Sequence, residues 1–299
     1  MISRSVTALA LIAGLLIICE AQAQTPAPPV TAPASPMPAP KVSAPAAPEF
    51  KLTIEPRAVD VLKATCARLA AAKSMSFTAV VSYEFPSRLG PPLVYTVRND
   101  VMMQRPDKLR IITPGDGPSS DLYYDGKTMA EYSPGPDLVA MAAAPPTIDE
   151  AMRAAYENAA IYYPFTDIIL SDPYNALISG ATLVFYVGKS EEVGGTETDM
   201  VVWADNDVFL QIWIGTKDKL PRRVRAIYRN DPLQLRHDLV LTNWQIDPVI
   251  PPGTFTSQKA LAAKHIPFAN PGSEPPPVGT PLFMAAPAGS APAAAQPKP

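Results

Sequence analysis

The chain has 299 residues, 37 of them proline, with 25 Lys and Arg against 28 Asp and Glu for a net charge of -3, and a pI near 5.5. That balance excludes a nucleic-acid-binding surface, which needs a basic footprint. The chain has two histidines and two cysteines, and the two histidines, His237 and His265, lack the spacing of zinc ligands.

At the N-terminus, Arg4 precedes an apolar run from Val6 to Ile18 and then Ala21-Gln22-Ala23, a small-x-small cleavage signal. Residues 1–23 therefore read as a secretory signal peptide cut after Ala23. The apolar run is about a dozen residues, short of the roughly 20 that span a bilayer as a helix, and no later segment approaches that length. Cys19 lies in the leader, but Ile17 and Ile18 occupy positions where a lipid-attachment signal wants small residues. Cys19 is thus expected to leave with the leader. Cys66 remains as the mature cysteine, and one thiol cannot close an internal disulfide. It shares an apolar helical face with Val59, Leu62 and Leu69, so its expected role is that of a packed small hydrophobe.

Proline concentrates at the two ends, Thr25 to Pro48 and Pro267 to Pro299. Pro/Ala sequence has little to bury and stays extended and solvated, so residues 24–49 read as a linker and 269–299 as a tail. Between them lies one domain, residues 50–268, large enough to bury its own core.

The domain opens with an amphipathic helix predicted from Glu55 to Lys73. Alternation then takes over. Phe77, Ala79, Val81, Tyr83 and Phe85 alternate with polar residues, as do Leu93, Tyr95, Val97 and Val101, and the Pro86 to Pro92 stretch makes the two runs a hairpin. Four short strands follow, Leu109 to Thr113, Ser120 to Tyr124, Thr128 to Tyr132 and Leu138 to Ala142, with Asp125-Gly126 as a turn. From Thr147 a capped, acidic first turn signals a helix, and Pro164 and Pro173 cut the segment up to Ser179 into short pieces. Five more strands are expected, Thr182 to Lys189, Asp199 to Ala204, Val208 to Ile214, Arg222 to Tyr228 and Leu235 to Ile246. Short turns between successive strands favour an antiparallel sheet and exclude a doubly wound α/β fold. Val208 to Ile214 is apolar on both faces, with Phe209 and Trp213 opposite Val208, Leu210, Ile212 and Ile214; Met200 to Trp203 repeats the feature. Such a sheet needs cover on both sides, either from helices filling a curve or from an apolar ligand in a concave lumen.

No arrangement of residues supplies catalysis or a metal. His237 falls on a strand and His265 near the tail, without metal-ligand spacing between them. Asp205-Asn206-Asp207 lacks the glycine and distal glutamate of a calcium loop and reads as a solvated turn. Ser119-Ser120-Asp121 has no nucleophile-elbow glycines. Gly115-Asp116-Gly117 precedes Pro118, not a helix, so it is no phosphate loop, and no acid, base and nucleophile assemble. Neither an enzyme nor a cofactor is expected. Lys217, Lys219, Arg222, Arg223, Arg225 and Arg229 read as the solvated side of a half-buried strand.

One run of features remains. The opening helix closing on Ser74-Met75-Ser76-Phe77, the hairpin, Arg105-Pro106 at a strand end, the Asp125-Gly126-Lys127-Thr128 turn, the helical insertion, Leu241-Thr242-Asn243-Trp244 and Phe255-Thr256 after a Pro-rich turn occur in one order. In that order they resemble the LolA family of periplasmic lipoprotein carriers across nearly the whole domain. The chain as a whole is more similar to an uncharacterised family of predicted periplasmic proteins in the LolA/LolB-like superfamily. The resemblance implies an α+β fold, a curved antiparallel sheet forming an incomplete barrel with an N-terminal helix and a helical lid. It also implies a periplasmic location and a hydrophobic concavity for acyl chains, with Arg105 at the position that holds the lid closed. The Pro/Ala arms, the longer insertion and the 114–118 loop depart from the carriers.

The expected function is non-catalytic binding of an apolar ligand, a lipid or a lipidated protein. Lumen candidates on the hairpin are Phe77, Val81, Tyr83, Leu93 and Tyr95; those on later strands are Trp203, Phe209, Trp213 and Trp244. The alternative is a protein-interaction or envelope-sensor module with a filled core, meeting an envelope protein partner through its sheet edge or arms. Which sheet face is concave stays open at this level.

Overall fold

The computed structural model describes residues 53–270 apart from 89, 116 and 117. The leader with Cys19, the 24–49 linker and nearly all of the 269–299 tail lie outside the described residues. The chain divides into units Met1–Glu49 and Phe50–Pro299, and every described residue belongs to the second.

Helix α1, Pro56–Ala71, starts with proline in its first turn and buries Ala58, Leu62, Thr65, Cys66 and Leu69 along one stripe. Cys66 is one of these packed residues, and burial pushes its thiol up to about 12, with the Asp172 carboxylate adding to the effect. The helix stops two residues short of the expected Lys73, because Ala72 is already extended and donates its N–H to the Leu69 carbonyl.

Strands β1, Ser74–Phe85, and β2, Leu93–Gln104, form the expected hairpin, paired from Ser74 opposite Gln104 to Phe85 opposite Leu93. Four strands continue the meander: β3 Lys108–Thr113, β4 Ser120–Tyr124, β5 Thr128–Ser133 and β6 Leu138–Ala143. Between β4 and β5, Asp125 accepts the N–H groups of Lys127 at 2.9 Å and Thr128 at 2.8 Å. Gly126 sits there at φ 89°, where a Cβ would collide with the Asp107 carboxyl.

The insertion follows as α2 Ile148–Ala159, α3 Thr166–Ile169 and α4 Pro173–Ile178. Thr147 caps α2 by accepting the Glu150 N–H at 3.2 Å, while its hydroxyl donates to the Glu150 carboxylate at 3.0 Å. Asp172 caps α4 through the Asn175 N–H at 3.1 Å. Strands β7 Leu183–Ser190, β8 Thr198–Ala204, β9 Val208–Gly215, β10 Pro221–Tyr228 and β11 Arg236–Ile246 complete the expected set. Two elements were not anticipated: a short helix α5, Gln258–Ala262, and strand β12, Lys264–Ile266, which pairs parallel with β6 and includes His265.

All twelve strands form one sheet in the order β12-β6-β5-β4-β3-β2-β1-β11-β10-β9-β8-β7. The two edges do not pair with each other, so the barrel is incomplete. One edge is blunted: Ile54 bridges Val184, and the Glu55 carboxylate accepts the Tyr186 N–H at 2.8 Å. A single concave face takes Met75, Phe77, Ala79 and Val81 from β1, Val201 and Trp203 from β8 and Leu210 and Ile212 from β9 into one core with α1 to α3.

The two-faced strands are explained from both sides. Phe209 packs on the convex face with Leu183, Val202, Ala204 and Phe185. Trp213, also convex, lies under the Arg223 guanidinium, 5.3 Å from the ring centre. Arg223 in turn binds Asp238 at 2.6 Å, and Arg225 stands 3.6 Å from the same carboxylate. The basic strand face is therefore tied down by an acidic partner.

Candidate functional site

A cavity of about 520 Å³ lies on the concave face, between the sheet and Tyr162–Pro164 of the irregular segment 160–165 that joins α2 to α3. Its position follows from local sequence. Ala160 ends α2 in the left-handed conformation at φ 53°, and Pro164 holds the residue before it out of helix. A strap rather than a helix therefore roofs the cavity, and it leaves space beneath it.

One wall is apolar and aromatic. Val81 and Tyr83 of β1, Val224, Ala226 and Tyr228 of β10, and His237 and Leu239 of β11 form it. The other wall is polar: Asn99, Thr113 and Ser120 of β2, β3 and β4, beside Tyr163 of the strap. The Thr113 hydroxyl donates to the Asn99 carboxamide oxygen at 2.8 Å, and Tyr163 donates to Glu131 of β5 at 3.5 Å. Burial lifts the Glu131 carboxyl to about 7, against the pull of the Ser120 and Tyr163 hydroxyls. The residue as a whole is half-buried; its carboxyl is the enclosed part, and the carboxyl sets its acidity. Burial likewise holds His237 below its ordinary value, so this imidazole is neutral at pH 7.

A smaller space of about 60 Å³ lies on the far side of Val224, between α1, α3 and β9. Thr65, Cys66 and Asp167 face it among aliphatic groups. The Thr65 hydroxyl and one Asp167 carboxyl oxygen have no hydrogen-bond partner among the described residues, and burial raises the Asp167 carboxyl to about 7.

The sequence-derived lumen candidates separate into four groups. Val81 and Tyr83 line the cavity. Phe77, Trp203 and Trp244 are spent on the packed core: Phe77 meets Phe165 edge-on at 5.7 Å and Trp244 at 4.5 Å, and the Trp244 indole N–H donates to the Pro221 carbonyl at 3.0 Å. Leu93 and Tyr95 stand on the concave side but beyond the cavity, 50% and 47% exposed at the hairpin end. Phe209 and Trp213 face away from it, because the residues alternating with them carry the concave side. The cavity's polar wall was missed. Thr113 and Ser120 sit on strand ends beside a loop, where polar residues are ordinary, Asn99 lies in the middle of β2, and only strand register reveals that they form one row.

Arg105 ends β2's extension toward the insertion. Its guanidinium donates to the Leu170 carbonyl at 2.7 Å, at the end of α3, and to Ala72 at 3.2 Å and Leu69 at 3.4 Å, at the end of α1. Burial lowers its pKa, opposed by Asp149. A second tie holds the same corner: Asp149 at the start of α2 accepts the Ser171 hydroxyl at 2.6 Å. Among the described residues no three His, Cys, Asp or Glu side chains converge as a metal site, and no helix is long and apolar enough to cross a membrane.

These features define an open antiparallel barrel covered by helices, with a cavity of single-ligand size. The chain belongs to a family described as predicted periplasmic protein (DUF2092), whose model matches residues 58–269. A search of curated proteins produced no match. Among solved structures the chain is similar to the lipoprotein LppX of Mycobacterium tuberculosis, with 13% identity, TM-score 0.41 and coverage of 66% of this chain and 99% of that one. It is also similar to LprF of Mycobacterium bovis, with 17% identity, TM-score 0.41 and coverage of 68% and 99%. A third likeness is to the Pseudomonas aeruginosa MucA/MucB complex, with 14% identity, TM-score 0.40 and coverage of 70% and 63%, so the chain spans less than two thirds of that protein. Likenesses this distant bear on neither ligand nor partner.

Proposed function

We propose that the chain is a non-catalytic periplasmic binding protein that holds one apolar ligand of lipid class beneath the helical insertion. The observation that carries this reading is the cavity of about 520 Å³ with an apolar wall across β1, β10 and β11. Pockets of roughly 300–1,000 Å³ suit a single small ligand.

Arg105 acts as a latch in this reading. Only its Leu170 bond reaches the insertion, and a hydrogen bond to a charged group contributes about 1.5–3 kcal/mol. The other two bonds anchor the guanidinium on α1. Ligand entry displaces the strap and breaks the Leu170 bond.

The test is uptake of N-phenylnaphthylamine, an uncharged fluorophore, together with native mass spectrometry of protein purified from its own periplasm. Fluorescence should rise on mixing and a lipid-sized adduct should accompany the protein. Ala226→Trp, which fills the cavity, should abolish both. No uptake and no adduct would sink the reading. Export through a leader cut after Ala23 is part of it, and N-terminal sequencing of the mature protein should begin at Gln24.

The protein-interaction reading draws on one observation. Leu93, Val94 and Tyr95 are 50%, 63% and 47% exposed in succession, so the end of the hairpin presents apolar groups on both faces. If that segment is the working surface, Tyr95→Ser should abolish partner capture and leave fluorophore uptake unchanged.

A further inference from the structure

The polar wall narrows the ligand class. Thr113 pairs directly with Ser120 across β3 and β4, and its hydroxyl meets Asn99 of β2. Asn99, Thr113 and Ser120 therefore form a row over three adjacent strands, spanning two inter-strand spacings, or roughly 10 Å. The Asn99 oxygen is occupied by Thr113, which leaves the amide N–H groups as donors without a partner among the described residues. Ser120 adds a hydroxyl that can donate or accept. A headgroup along this row must accept at Asn99, as a hydroxyl or an amide does and an ammonium cannot.

Charge points the same way. Among the described residues no Lys or Arg side chain lines the cavity. Asp238 touches its wall, but the carboxylate is engaged by Arg223 and Arg225. Glu131 stands behind Ser120 and Tyr163, where its charge when ionised opposes an anion. A carboxylate or phosphate buried here would have no counter-charge, and burial of an unpaired charge is strongly unfavourable.

We propose that the ligand is an uncharged amphiphile whose headgroup carries more than one hydroxyl or amide, as a monoacylglycerol does. The headgroup lies along Asn99, Thr113 and Ser120, and the apolar part lies against Val81, Val224 and Leu239. This inference rests on the binding role proposed for the cavity and fixes its selectivity.

Four probes of one chain length test it by displacement of N-phenylnaphthylamine from the full-length chain at about pH 8, where both ionisable probes are charged: monododecanoylglycerol, dodecanoate, dodecylamine and dodecane. The glycerol ester should bind about tenfold tighter than each of the others. Ser120→Ala and Asn99→Leu should each bring it down toward dodecane. Asn99 is buried, so Ser120→Ala serves if the leucine variant does not fold. Dodecanoate or dodecylamine binding as tightly as the ester would overturn the proposal and leave the binding role standing. So would an ester advantage that survives Ser120→Ala. Fluorophore uptake with no displacement by any probe would also overturn it, whereas no uptake at all would remove the binding role beneath it.

Discussion

The concave side of the sheet is built differently at the two ends of its strands. Where β1 begins and β2 ends, Met75, Phe77, Met103 and Leu109 vanish beneath helices, and Phe165 of the insertion fills the gap between them, fully buried. Where β1 ends and β2 begins, Val81, Tyr83 and Val97 face a cavity, and a few residues further the same strands carry exposed Leu93 and Tyr95. The side chains at the two ends are similar in type. What differs is the cover: α1 presents a regular apolar stripe and Phe165 a buried ring at one end, and the irregular strap around Tyr162–Pro164 crosses the other. A strap interrupted by proline cannot interdigitate as a helix does, so the same sheet makes a core at one end and a chamber at the other.

The largest test of that contrast is Phe165→Ala. Loss of a fully buried phenylalanine costs about 3–5 kcal/mol, and chemical denaturation should show it. At the cavity end Val97→Ala should cost about 1 kcal/mol or less, since a side chain facing open space loses few contacts. Equal costs would erase the distinction between core and chamber.

The second test is pH. A carboxyl whose folded-state pKa is raised from 3.8 to about 7, as at Asp167, favours the folded state while protonated in both states. That advantage is lost as pH climbs from about 4 to about 7, where the unfolded chain ionises and the folded one does not. Stability should therefore fall across that window, by on the order of 3–4 kcal/mol for this group. Asp167→Asn should flatten the fall, leaving the part due to Glu131, which is raised in the same sense. A wild-type profile that is flat from pH 4 to pH 7 would mean that water reaches these carboxyls.

Arg105→Leu comes next. Breaking the bond to Leu170 should shift the strap toward its open state by about 1.5–3 kcal/mol, and fluorophore retention should rise roughly tenfold or more. Unchanged retention would reduce Arg105 to a cap on α1. The smallest effect belongs to the exposed hairpin end, where Tyr95→Ser should alter stability by no more than about 0.5 kcal/mol.

Much of the fold could be read from periodicity and punctuation. Alternation and short apolar runs between turns located β1 to β11, Thr147 marked the start of α2, and Pro164 and Pro173 divided the insertion. The short C-terminal pair α5 and β12 could not be read. Lys264, His265 and Ile266 have no alternation to speak of, and they become a strand only because β6 offers a free edge. The lumen candidates were read by size and apolarity, and that criterion favours core residues, which is why Phe77, Trp203 and Trp244 turned out to be packing. Phe209 and Trp213 failed for a different reason: on a two-faced strand the sequence contains no sign of which face curves inward.

Sequence by itself determined the order of elements, the antiparallel sheet, the interruption of the insertion and the strand-end position of Arg105, because all of these follow from local spacing and backbone restriction. Tertiary structure decided the rest. Curvature selected the concave face, strand register aligned Asn99, Thr113 and Ser120 from three separate segments, and the packing of Phe165 against Phe77 set where the core ends. Those are relations between residues far apart in the chain, and a linear pattern has no means of recording the distance between them.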